Sequence, residues 1–88
     1  MIELEEALVL GTLAFSFQRD ILEKLKSLSG VTDANFIYGP YDFYVFIKTE
    51  SKEALGNTIM NIRAIDGIHS TMTCNVVIAS GVEGSPKE

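Results

Sequence analysis

The chain has 88 residues, including one cysteine, seven basic residues and twelve acidic residues, and its formal net charge is −5. This length predicts a single domain, and one cysteine excludes an internal disulfide. The basic residues are scattered singly along an acidic chain, which argues against direct binding to DNA or RNA. No signal peptide or apolar run of membrane-spanning length is found, so we expect a cytoplasmic protein.

Apolar periodicity in the first half of the chain predicts a strand, a helix and a second strand. An acidic lead-in at residues 3–6 precedes a long β-rich run over residues 7–17. Apolar residues then recur at helical spacing until Gly30, which is typical of a helix end. The next strand is expected over residues 31–38.

The second half repeats this order. A tight turn at Gly39-Pro40 leads directly into a strand over residues 41–48, which predicts an antiparallel hairpin. Ser51 is a typical N-cap for a second helix, and Asp66-Gly67 marks its end. A last strand is expected from residue 68 to about residue 79.

The order β-α-β-β-α-β predicts a ferredoxin-like α+β fold: a four-stranded antiparallel sheet with both helices on one face. We assign residues 1–79 to this domain. Residues 80–88, rich in glycine, serine and charge, have the composition of a flexible tail.

The second face of this sheet is also apolar. In the third strand, Tyr41 is expected to share a face with Phe43, and Tyr44 and Phe46 point to the opposite face. Two helices cover only one face, so we expect another subunit to cover Tyr44 and Phe46. The alternative is a mildly apolar face that stays exposed to solvent.

Three short motifs make residues 7–78 similar to a known family. They are Gly30-Val31 after the first helix, Gly39-x-Tyr41-Asp42 at the hairpin, and Gly67-Ile68-x-x-Thr71-x-Thr73 at the last strand. In this order and spacing, the chain resembles the effector-binding (RAM) domain of the Lrp/AsnC transcription regulators.

The resemblance implies dimers formed by sheet-to-sheet packing, that is, a dimeric α+β barrel, and assembly of these dimers into tetramers or octamers. It also implies amino-acid effectors bound between dimers, near the hairpin turn and the start of the last strand. We assign no cofactor and no metal. Full-length members carry an N-terminal helix-turn-helix domain. The present sequence begins only a few residues before the first strand, so we expect a stand-alone form that acts through a partner.

The candidate ligand-binding residues are Gly39, Tyr41, Asp42, Thr71 and Thr73. A carboxylate at Asp42 suits the ammonium of an amino acid, and backbone N–H groups near Gly39 with the two threonine hydroxyls suit its carboxylate. Each has a structural alternative. Asp42 is equally well explained as a turn residue bonding nearby backbone N–H groups, Gly39 as a conformational requirement of the turn, Tyr41 as packing, and the threonines as ordinary strand residues.

No catalytic residues are assigned, and we do not expect an enzyme. His69 has no acidic or thiol neighbour at metal-ligand spacing and is expected on the surface, and Cys74 is expected to pack inside the last strand. Two alternatives remain open: a purely structural assembly partner of a full-length regulator, and an enzyme of the dimeric α+β barrel type, which rests on fold analogy alone.

Overall fold

The computed structural model describes residues 4–76 and has the predicted order of elements. The elements are β1 (Glu5–Leu13), α1 (Arg19–Ser27), β2 (Val31–Phe36), β3 (Phe43–Thr49), α2 (Lys52–Arg63) and β4 (Ile68–Asn75). All strand pairs are antiparallel, and the strand order is β2-β3-β1-β4. The ferredoxin-like βαββαβ fold is therefore confirmed.

The core lies between the helices and one face of the sheet. Alternate residues of the two central strands are buried, among them Val9 and Val45, which are fully inaccessible to solvent. From the helices, Leu25 and Ile62 pack into the same cluster. Both helices cover this face because each has one apolar stripe, and the period-2 alternation of the strands sends their apolar side chains there.

The second helix begins as the sequence predicts. The Oγ of Ser51 accepts a hydrogen bond of 3.0 Å from the backbone N–H of Ala54, which caps an otherwise unpaired donor of the first turn. Thr58 of α2 is buried, and its hydroxyl donates to the backbone oxygen of Ser29 at 2.7 Å. This bond ties α2 to the segment that enters β2.

The prediction for the first strand was wrong at both ends. β1 begins at Glu5, within the supposed lead-in, and ends at Leu13, so Phe15 and Phe17 lie outside it. Beyond Leu13 no strand remains to pair with, because β4 begins at Ile68, the partner of Leu13. The backbone bends away from the sheet after Leu13, so the exposed rings of Phe15 and Phe17 lie outside the strand pairing.

The hairpin connection is also longer than predicted. Phe36 pairs with Phe43, so residues 37–42 form the connection and the two strands are correspondingly shorter than expected. The backbone N–H of Ile37 donates to the backbone oxygen of Asp42 at 2.9 Å and closes this loop. The last strand ends at Asn75. Residues 77–79, which were also predicted to belong to it, and the expected tail at residues 80–88 lie outside the described residues.

Candidate functional site

Gly11 of β1 lies at the centre of the candidate site. The backbone N–H of Asp42 donates to the oxygen of Gly11 at 2.7 Å, and Thr71 of β4 is the partner of Gly11 on the other side. A side chain is not tolerated here, since a Cβ on Gly11 would lie 2.2 Å from Cζ of Phe43. The bare backbone of Gly11 thus lets the hairpin loop and β4 flank the same residue.

The carboxylate of Asp42 has a structural partner. Its Oδ2 accepts a hydrogen bond of 2.8 Å from the backbone N–H of Leu13, at the point where the β1–β4 register shifts. Asp42 therefore has a structural role, but its partner lies 29 residues away in the chain and is not a backbone N–H of its own turn, as the structural alternative supposed. Asp42 is only half-buried, and Oδ1 accepts no side-chain hydrogen bond from residues 4–76.

Tyr41 lies on the face opposite to the one predicted. Its hydroxyl is 3.5 Å from Sδ of Met72, which pairs with Leu10 on the face that the helices leave open. The prediction was wrong because β3 begins only at Phe43, so the alternation of that strand does not extend back to Tyr41. Tyr41 nevertheless packs, as its structural alternative required.

Gly39 and Thr73 do not join this cluster. Gly39 has φ of 138° and no atom within 4 Å of the position of a Cβ, so the turn conformation alone explains the glycine. Thr73 pairs with Val9, two residues along β4 from Thr71, and is exposed. Of the five candidates, the structure places Asp42 and Thr71 on either side of the backbone of Gly11, whereas Tyr41 contacts Met72 on the open face.

An open cleft of about 380 Å³ adjoins Thr71 and was not predicted. It lies between the C-terminal end of α2 and the first residues of β4, and Arg63, Ile68, His69, Ser70 and Thr71 line it. His69 is exposed, so its predicted position at the surface is confirmed. Arg63 was missed because it belongs to a helix end that only the fold places beside β4.

The open face of the sheet carries the apolar side chains expected there, and one polar pair. Phe46 and Met72 are 42% and 48% exposed. The hydroxyl of Tyr44 donates to Oδ2 of Asp33 at 2.9 Å, and this hydrogen bond is the main reason why the pKa of Tyr44 is raised. Cys74 also lies here, opposite Leu8, and is exposed, so its predicted burial inside the strand was wrong.

Neither a metal-binding cluster nor a membrane-spanning helix is found within residues 4–76. No group of three or more His, Cys, Asp or Glu side chains is arranged to hold a metal ion. No helix in this part of the chain is long and apolar enough to cross a membrane.

Solved structures share both the fold and the sequence of this domain. The chain is 28% identical to AsnC of E. coli, with a TM-score of 0.76, over 86% of this chain and 52% of that one. It is 30% identical to FFRP-DM1, also with a TM-score of 0.76, over 83% of this chain and 99% of that one. The chain belongs to the Lrp/AsnC family. It therefore contains a domain of a regulator family.

A hypothetical protein of Pyrococcus horikoshii, PHS023, is 26% identical with a TM-score of 0.76, over 93% of this chain and 99% of that one. The Lrp/AsnC likeness thus covers nearly the whole of two solved chains but about half of AsnC. No family model matches the sequence, and no curated protein matches it.

Proposed function

We propose that this domain binds an amino acid or a closely related effector and assembles into oligomers, through which it modulates transcription or amino-acid metabolism. The observation that carries the proposal is the meeting of Asp42 and Thr71 around Gly11 in a domain of a regulator family. Asp42 and Thr71 are both half-buried, and a carboxylate and a hydroxyl suit the ammonium and the carboxylate of an amino acid.

The open face supports the assembly part of the proposal. Phe46 and Met72 together with half-buried Leu8, Leu10 and Tyr44 form an apolar surface on the two central strands and β4. A second copy packed sheet to sheet would cover it and form a dimeric α+β barrel. Dimers would then associate into tetramers or octamers, with effectors bound between them.

Ligand binding would act by changing the assembly. A ligand shifts an equilibrium only when its affinities for the two states differ, so an effector site at a contact between dimers responds directly to association. The half-exposed position of Tyr41 and Asp42 on the hairpin loop is suited to such a contact.

Effector binding is tested by thermal unfolding of the 88-residue chain with each common amino acid, with solution mass measured on the same samples. A ligand at 100 times its Kd adds about 2.7 kcal/mol to the free energy of unfolding. We expect one or a few amino acids to raise Tm and change the mass. Unchanged Tm with every amino acid would refute amino-acid binding.

The role of Asp42 is separated from its structural bond by two variants. Asp42→Ala removes both the charge and the acceptor for the N–H of Leu13, whereas Asp42→Asn keeps an acceptor oxygen and removes only the charge. If Asp42 binds the ammonium, both variants bind the effector more weakly and remain dimeric. Wild-type affinity in Asp42→Asn would assign Asp42 to holding β1 alone.

A second candidate function is that of an assembly partner for a longer regulator. Its support is that the chain corresponds to about half of AsnC, so the same fold occurs within a chain about twice as long. In that arrangement the present chain would form mixed oligomers with an AsnC-type regulator. Co-purification with such a regulator, without a Tm response to amino acids, would favour this candidate over effector binding. FFRP-DM1 and PHS023, each matched over 99% of its length, support a domain that functions as a stand-alone unit.

A further inference from the structure

The cleft between α2 and β4 has the chemistry of an anion site. Its polar lining residues are Arg63, His69, Ser70 and Thr71, and no acidic residue lines it. Four hydrogen-bond-donating side chains around one opening stand out in a chain with twelve acidic and seven basic residues.

The donors of this cleft are available to a ligand. Arg63 and His69 are exposed, and among residues 4–76 neither donates a side-chain hydrogen bond to another residue. Ser70 has a partner, the hydroxyl of Thr12. β4 is also an edge strand, so the described sheet leaves backbone groups on its outer side without a strand partner.

The helix end modifies the charge of the cleft without reversing it. The C-terminal end of α2 contributes a partial charge of about −0.5, which is smaller than the full positive charge of Arg63 in its last turn. A guanidinium binds a carboxylate through two parallel N–H···O bonds, a geometry that a point charge does not provide.

Thr71 connects the cleft with the cluster around Gly11. It lines the cleft and also pairs with Gly11, whose oxygen accepts the N–H of Asp42. Thr71 is therefore the residue through which the cleft adjoins Gly11.

We propose that Arg63, with His69 beside it, binds the carboxylate of the effector in this cleft. This inference rests on the proposed function, since it names the group that holds the acidic end of the amino acid. It assigns a binding role to two residues that none of the three sequence motifs contains.

The test removes the charge from each side of the proposed pair. Binding of each common L-amino acid and of its carboxamide, which lacks the carboxylate charge, is measured by thermal shift with wild type and Arg63→Gln. Arg19→Gln is the matched control, because Arg19 is equally exposed and lies in the first turn of α1. Circular dichroism of each variant without ligand checks that the fold is kept.

We expect wild type and Arg19→Gln to bind the acid about tenfold or more tightly than the amide, as for a charge-assisted pair. Arg63→Gln should lose this difference by binding the acid more weakly, which a double-mutant cycle isolates. Equal affinity of wild type for acid and amide, or wild-type affinity for the acid in Arg63→Gln, would overturn the inference and leave amino-acid binding intact. Absence of any amino-acid binding to wild type would instead refute the proposed function, and this inference with it.

Discussion

The two faces of the sheet are built from the same strands and have opposite surroundings. On β3, Phe43 is fully buried under the helices, whereas Phe46, three residues later, is 42% exposed on the open face. Both faces are apolar, but within residues 4–76 only one is covered by other parts of the chain. The first face therefore stabilises the fold of the chain, and the second is free to serve association between chains.

The sharpest test of this difference replaces each phenylalanine by alanine. Phe43→Ala should lower the free energy of unfolding by about 3–5 kcal/mol, because the lost ring leaves a cavity in the core. Phe46→Ala should cost the single chain much less, and any larger loss should depend on protein concentration. Denaturant unfolding at two protein concentrations measures both. Equal, concentration-independent losses would contradict the division between the faces.

A charge on the open face should break the proposed dimer. Phe46→Lys places an ammonium in the apolar surface, and we expect the solution mass to fall to that of one chain while circular dichroism stays unchanged. Met60→Lys is the control, since Met60 is 66% exposed but lies on α2, outside the sheet. An unaltered mass in Phe46→Lys would refute sheet-to-sheet packing.

Two glycines sharpen the comparison on the helical side of the sheet. Gly67 has φ of 101°, and a Cβ there would lie 2.8 Å from Cδ1 of Ile21, so Gly67→Ala should lower stability by more than about 1 kcal/mol. Gly56 has open space around it in the middle of α2, so Gly56→Ala should raise stability by up to about 1 kcal/mol. Thermal unfolding measures the direction of both changes in stability. A stabilising effect of Gly67→Ala would contradict the close approach of position 67 to Ile21.

The smallest expected effect lies in the polar pair of the open face. The carboxylate of Asp33 stabilises the protonated hydroxyl of Tyr44, so the raised pKa of Tyr44 should fall towards 10.0 in Asp33→Ala, which removes both the acceptor and the charge. Because the folded pKa lies above the unfolded one, this contribution to stability is present below pH 10 and is lost as the pH rises through the raised value. Ultraviolet titration of the phenolate measures the shift. An unchanged pKa in Asp33→Ala would show that the hydrogen bond does not cause the shift.

Local chemistry carried much of the prediction. The Ser51 cap depends on a serine and the N–H three residues later, and both are adjacent in sequence. The alternation of buried Val45 and exposed Phe46 follows from strand geometry alone. The order of the strands also predicts that the hairpin loop and β4 lie close to each other.

Errors arose where a residue depends on a distant partner. Phe15 and Phe17 have the composition of a strand, but a strand ends where its neighbours end, and those neighbours are 26 or more residues away in sequence. Tyr41 was assigned to the wrong face because the start of β3 depends on pairing with Phe36. Arg63 carried no local signal, since a basic residue in the last turn of a helix is common for electrostatic reasons alone.

The amino-acid sequence by itself determined the order of the elements. It also determined that the helices cover one face of the sheet and that the uncovered face is apolar. These depend on periodicity and capping, which act over a few residues. Only the tertiary structure decided that Asp42 binds the N–H of Leu13, that Tyr41 contacts Met72, and that Arg63 and His69 share a cleft with Thr71. The contacts of Asp42 and Tyr41 join residues far apart in sequence, and the cleft depends on how the chain turns between α2 and β4, so all of them depend on strand register and on where each element ends.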